Sequence, residues 1–135
     1  MSERTFVIIK PDAVAAGHIG TVLARYEELG LRIVAMELRT IDVGFADRHY
    51  QEHLKRDFYP DLRDFMTSGP LVAVILEGED AIEEVRTLNG ATDPAQADAG
   101  TIRAELGTSV RENVVHASDS ETSARDEISL WFPDL

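Results

Sequence analysis

The chain has 135 residues, enough for one domain with one sizeable hydrophobic core, and its hydrophobic fraction of 44% excludes a disordered polymer. It has no cysteine, which excludes disulfides, thiol catalysis and cysteine-held metals, and its net charge of −12 sets it against nucleic acid and anionic membrane as partners. The longest aliphatic run, Leu71 to Leu76, is far too short to span a bilayer, and only four apolar residues, Phe6 to Ile9, follow the charged N-terminus. Neither a membrane span nor a secretory signal is expected, so the protein reads as cytoplasmic. Only two lysines, Lys10 and Lys55, stand among the 13 basic residues. A codon bias toward arginine accounts for this more simply than a salty cytoplasm, and both readings stay open.

In chain order, Arg4 to Ile9 is a short β-rich run closed by Lys10-Pro11-Asp12, where proline cannot continue a ladder. Ile19, Val22, Leu23, Tyr26 and Leu29 recur at helical spacing, and Gly30 is placed to end that helix. Leu31 to Thr40 alternates as a strand, Asp42 to Leu54 and Asp61 to Met66 look helical, and Ser68-Gly69-Pro70 breaks the chain. Leu71 to Leu76 reads as a buried strand and Glu79 to Leu88 as a helix. The stretch from Asn89 to Asn113 holds Gly90, Pro94, Gly100 and Gly107, and an irregular segment of that length inside a domain is usually functional or poorly ordered. Val114-Val115-His116 makes a short strand. Ser118 to Glu121 has capping-box spacing, and Ser123 to Trp131 follows as a helix. This order predicts a single domain over residues 1–135, an α/β sandwich whose helices cover a mainly antiparallel sheet.

Four histidines are present. His18, His49 and His53 lie in or beside helices and read as ordinary surface or packing residues. His116 ends an apolar strand and leads through small residues into a helix, whose N-terminus would favour an anion. Taken alone, such a histidine is more often structural than catalytic.

Its neighbours change that reading. Asn113-Val114-Val115-His116-Ala117-Ser118-Asp119-Ser120 closely resembles the active-site segment of nucleoside diphosphate kinases. Ile8-Ile9-Lys10-Pro11-Asp12-Ala13, Met66-Thr67-Ser68-Gly69-Pro70, Gly90-Ala91-Thr92-Asp93-Pro94 and Gly100-Thr101-Ile102-Arg103 resemble the same family, in its order and at its spacings. The resemblance covers essentially the whole chain. It implies an α+β, ferredoxin-like βαββαβ core with a four-stranded antiparallel sheet, and a Mg2+-nucleotide substrate. It also implies ping-pong transfer from a nucleoside triphosphate to a nucleoside diphosphate, and a homo-oligomer, usually a hexamer, with Pro94 in the inter-subunit loop.

Residue by residue, His116 matches the phosphorylated nucleophile. Lys10 and Asn113 match the pair that holds the ribose, with Lys10 reaching toward the transferring phosphate. Arg86, Thr92 and Arg103 match the phosphate-binding set, and Tyr50 matches the tyrosine beside the transferring group. Phe58 and Val110 match the residues that sandwich the base. Ser118 and Glu127 match the serine and carboxylate that orient the histidine ring, and Asp119 is a candidate for a water-bridged contact to Mg2+. Without the resemblance, Arg86 would pair with Glu83, Phe58 would belong to the core, and Tyr50 and Glu127 would be plain helix residues.

The residue chemistry is coherent by itself. Phosphoryl transfer needs positioning and charge neutralisation more than covalent help from other side chains. A neutral imidazole is nucleophilic near pH 7, and a carboxylate on one ring nitrogen frees the other to attack. Three features depart from the family pattern. Ala117 replaces glycine, which would crowd the loop if the backbone there needed a positive φ. Thr122 replaces a glutamate, and the tail after Trp131-Phe132-Pro133 is short, with apolar residues that suggest a surface needing cover. A non-catalytic nucleotide-binding module and a phosphohistidine relay are the competing readings. Lys10, Arg103 and His116 argue against the first; Phe58, Thr92 and Asn113 argue against the second.

Overall fold

The computed structural model describes residues 2–135. Its strands are β1 (Ser2–Ile9), β2 (Arg32–Arg39), β3 (Leu71–Glu79) and β4 (Val115–Ala117). They form one sheet in the order β2-β3-β1-β4, with every neighbouring pair antiparallel. The helices are α1 (Pro11–Ala15), α2 (Ile19–Glu28), α3 (Val43–His49), α4 (Tyr59–Met66), α5 (Ala81–Asn89), α6 (Ile102–Leu106) and α7 (Glu121–Trp131). The order β1, α2, β2, β3, α5, β4 is the expected ferredoxin-like βαββαβ path.

The central strands read as continuous apolar runs because both faces of the sheet are covered. Val7, Ile9, Val72, Val74 and Leu76 pack with Val22 and Tyr26 of α2 and with Ala81 and Val85 of α5. Phe6, Ile8, Leu71 and Ala73 face the other way, onto Ala46 of α3, Tyr59 and Met66 of α4, and Trp131 of α7. Register then places the chemistry. His116 pairs with Ile8 across the β1–β4 ladder, and cross-strand partners share a face. His116 therefore lies on the side covered by α3 and α7.

Several expected elements shift. Gly30 takes a positive φ of 84° just after α2, as a helix-ending glycine does. The helix expected over Asp42 to Leu54 stops at His49. Asp42 caps it through Phe45 N–H, and the chain turns at Tyr50 (φ −103°, ψ 27°) into one 3-10 turn over Gln51–His53. β3 runs on to Glu79, past the apolar run, because β1 pairs with it back to Ser2. α1 was not expected: Pro11 closes β1 but also opens a helix at its first turn, where a missing N–H does no harm. The capping box is at Ser120 and Ser123, two residues later than the Ser118–Glu121 spacing suggested. In the apolar tail Trp131 is buried in the chain's own core, while Leu135 is exposed. Edge strand β2 also carries exposed apolar residues, Met36 and Leu38. No helix among the described residues is long and apolar enough to cross a membrane.

Candidate active site

A cleft of about 990 Å³ opens where the β4 end of the sheet meets α5, the 3-10 turn after α3, and the long segment before β4. Lys10, Tyr50, Phe58, Arg86, Thr92, Arg103, Val110, Asn113, His116 and Asp119 all line it. The expected residues are thus brought together, apart from Ser118 and Glu127, which stand behind His116. Lys10, Arg86, Arg103 and Arg111 give the cleft four cations against the single carboxylate of Asp119. That local balance answers the acidity of the chain as a whole.

His116 is gripped from behind. Its Nε2 lies 2.6 Å from Glu127 Oε2, which comes from the second turn of α7. Ser118, itself buried, donates its hydroxyl to Glu127 Oε1 at 2.7 Å. Burial alone would raise the Glu127 carboxyl, but the hydrogen bonds from His116 and Ser118 overcome it and hold the group below the usual carboxylate range. An ionised Glu127 accepts the Nε2 proton and leaves Nδ1 as the ring's free lone pair. This support for the ring comes from the body of α7.

Lys10 is placed by the end of β1. Its ammonium donates to Arg111 O at 2.7 Å and to Asn113 Oδ1 at 2.8 Å. Burial, aided by the nearby charges of Arg103 and Arg111, lowers its pKa to about 8. Asn113 in turn donates from Nδ2 to Thr92 O at 2.8 Å, so its amide ties the lysine to the Thr92 loop. Arg103 donates to Gly90 O and Val115 O, at 2.8 and 2.7 Å, which ties that loop to β4. Gly90 is required there: its φ is +85°, and a Cβ would meet Thr101 Oγ1 at 2.6 Å. Arg86 is exposed and forms no ion pair with Glu83 among the described residues. Phe58 and Val110 are exposed apolar side chains lining the same cleft, so Phe58 is not core.

The segment before His116 is strained. Val114 has a φ of +79°, rare for a β-branched residue. Val115 N–H reaches back to Asn113 O at 2.9 Å, which closes a three-residue γ-turn of the rarer hand. Lys10 N–H donates to Val114 O, and Val114 N–H donates to the Asp12 carboxylate at 3.0 Å. Such a conformation persists only when its surroundings fix it. Asp12, part of the Lys-Pro-Asp motif, does that fixing and had no role assigned from sequence. Ala117, by contrast, needs no positive φ; it sits in β4, so the methyl group crowds nothing there.

His49 is the other residue the sequence undervalued. Its side chain is only 2% exposed, its Nε2 lies 3.5 Å from Glu127 Oε2, and its ring stands edge-on to that of His116, 5.0 Å between centroids.

Known proteins are similar to this chain over nearly its whole length. The family model for nucleoside diphosphate kinase matches residues 3–135. The chain belongs to the nucleoside diphosphate kinase family. A nucleoside diphosphate kinase from a Nocardioides species is 58% identical over 135 residues, covering all of both chains. One from Cutibacterium acnes is 55% identical over 133 residues, covering 98% of this chain and 96% of its own. The crystal structure of the Aquifex aeolicus nucleoside diphosphate kinase superposes with a TM-score of 0.95 at 42% identity, over 98% of this chain and 96% of that one. The apo enzyme from Encephalitozoon cuniculi gives 0.95 at 36% identity, over 98% and 90%. Like other members of the family, the chain is a phosphotransferase.

Proposed function

We propose that this kinase moves the terminal phosphoryl group of a nucleoside triphosphate to a nucleoside diphosphate in two steps through His116. The observation that carries the reading is a histidine held by a carboxylate on one nitrogen, at the wall of a cleft with four cations. In the first step the Nδ1 lone pair attacks the γ-phosphorus, the bridging P–O bond breaks, and the diphosphate leaves. In the second, a terminal oxygen of an acceptor diphosphate attacks the phosphorus and the N–P bond breaks.

Arg86, Arg103, Thr92 and Lys10 neutralise and position the phosphates, which is most of what such a transfer asks of a protein. Lys10 and Asn113 hold the ribose, and Phe58 and Val110 clasp the base from two sides. Stacking of that kind tolerates any base. Tyr50 is buried, and burial with the nearby Glu127 charge keeps its phenol neutral, so it can donate to the group in transit. The donor set also fits Mg2+. A hard cation of this size favours oxygen and is commonly held by substrate phosphates with one carboxylate. Asp119 is exposed and kept ionised by Ser123 Oγ, so it can hold the ion through water. When bound, the ion spreads the charge of the phosphate oxygens.

Incubation with ATP and an unlike nucleoside diphosphate tests the reading. A new triphosphate, with acid-labile phosphate on the protein, is the expected result. Stable labelling without transfer would mean a relay protein, and neither would mean a binding module.

The natural setting is the nucleotide-rich cytoplasm, and the working form is a homo-oligomer, a hexamer. Met36 and Leu38 lie exposed on the free edge of β2, the kind of edge that proteins cover. Pro94 packs against Gly107, which braces its loop. Light scattering at micromolar protein is expected to give a mass six times that of the chain, and a monomeric mass would refute the assembly.

A further inference from the structure

His49 lies outside the roles given above, yet its side chain is only 2% exposed and stands beside the reacting centre. It touches Trp131 on one nitrogen and Glu127 with the other: Trp131 Nε1 donates to His49 Nδ1 at 3.0 Å, and His49 Nε2 lies 3.5 Å from Glu127 Oε2. We propose that Trp131 and His49 form a chain of fixed polarity that holds Glu127 in the orientation in which it grips His116, which makes both of them positioning residues for phosphoryl transfer. The inference rests on His116 as the nucleophile.

Polarity follows from elementary donor chemistry. An indole nitrogen can only donate. It therefore occupies the lone pair of His49 Nδ1 and leaves the single proton of a neutral imidazole on Nε2. That proton is the group presented toward Glu127. In the other tautomer a lone pair would face an ionised carboxylate oxygen, which is repulsive. Glu127 Oε2 then sits between His116 at 2.6 Å and His49 at 3.5 Å, while Ser118 holds Oε1. The His49 contact is long, and its weight comes from the charge on the carboxylate.

The same polarity rules out a rival role. His49, His116 and Glu127 cluster closely enough to suggest a metal site. A metal would need the Nε2 lone pair of His49, which would move the proton to Nδ1 and set it against the Trp131 N–H. The cluster is a polar chain, a Trp131–His49 hydrogen bond followed by a longer contact from His49 to the Glu127 charge, and not a cation site.

His49 is also kept uncharged. Burial, with the neighbouring His116 and His53 outweighing the Glu127 charge, lowers its pKa to about 3. The titratable groups facing it are His116 from β4, Glu127 from α7, and Tyr50 and His53 from the turn after α3. A cation at position 49 would cancel the Glu127 charge that His116 needs when phosphorylation makes its ring cationic. A neutral donor orients the carboxylate without cancelling it.

The test uses three variants of the full chain. His49→Phe keeps a ring of similar size and removes the donor, His49→Gln keeps an N–H, and Trp131→Phe removes the group that fixes the tautomer. In quenched-flow single turnovers with saturating ATP, His49→Phe is expected to phosphorylate about tenfold more slowly, a loss of one weak charged contact. Its KM for nucleotide should stay within twofold, because no nucleotide-lining residue changes. The acidic limb of its rate profile should move up, since Glu127 loses a neighbour that favours its ionised form. His49→Gln should recover most of the rate, and Trp131→Phe should fall between. Nitrogen-15 spectra of the unmutated protein give a reading independent of any variant's folding. His49 should show a bare Nδ1 and a protonated Nε2, unchanged from pH 5 to 8. A wild-type rate and pH profile in His49→Phe, or an Nδ1–H tautomer in the spectra, would overturn the inference. Absence of exchange in the unmutated protein would instead overturn the assignment of His116.

Discussion

His116→Ala is expected to lower phosphoryl exchange by roughly 10⁶-fold, the scale on which deleting a covalent nucleophile acts, while the protein stays folded. The two halves of this expectation have different sources. Every transfer in a two-step mechanism passes through the same nitrogen, and of the two imidazoles lining the cleft only His116 is held by a carboxylate among the described residues; His53 has no such partner, Lys10 is committed to Arg111 O and Asn113 Oδ1, and the arginines are not nucleophiles. The fold is spared because the His116 side chain is 28% exposed and belongs to neither hydrophobic cluster. Its one polar tie is to Glu127, which keeps Ser118, so the loss should be about 1 kcal/mol. Exchange assays, acid-labile phosphate on the protein and a thermal melt check both halves. Turnover near the wild-type rate would remove His116 from the mechanism. A collapse of the melting temperature would show a structural role that the exposure of the ring does not suggest.

The fold was legible in the sequence where its physics is local. Apolar runs at Phe6–Ile9 and Leu71–Leu76, helical spacing from Ile19, and Gly30 as a terminator all reappear, because burial on two faces and a left-handed cap leave direct marks on residue choice. The cleft was legible through resemblance: ten residues expected to surround the nucleotide do line one cavity. What stayed hidden depends on contacts between distant parts of the chain. Trp131 and His49 are 82 residues apart, and no spacing rule connects them. His49 looks like any helix-end histidine until α7 is laid across it. Val114 is hidden for another reason: valine favours extended backbone, so its left-handed turn contradicts its propensity and is enforced from Lys10 and Asp12. The capping box was misplaced because Ser118 and Ser120 both offer a hydroxyl to a following helix. Only packing decides that Ser118 turns inward to Glu127 while Ser120 caps.

Glu127→Gln is expected to slow phosphorylation of His116 by roughly 10²-fold with nucleotide binding unchanged, the range for loss of one preorganised electrostatic partner. The orientation of the new amide can be worked out. Oε2 faces two nitrogens, His116 Nε2 and His49 Nε2, and His49 presents a proton there because Trp131 holds its other nitrogen. The amide oxygen therefore takes the Oε2 position, and the NH2 group turns to Ser118, whose hydroxyl can rotate to accept. The tautomer of His116 survives, so the nucleophilic lone pair still faces the cleft. What is lost is the negative charge that stabilises the ring as it becomes cationic, which places the loss in the rate of phosphorylation and not in KM. A pH test follows from the same carboxylate. Glu127 is held below the usual range, so it contributes stability that is present above the unfolded glutamate pKa and lost as pH falls through the folded value. Thermal melts from pH 7 down to 3 should show the wild type losing stability below the normal carboxylate range, and the glutamine variant losing less. An unchanged single-turnover rate, with parallel acid melts, would reduce Glu127 to a helix residue that happens to touch His116.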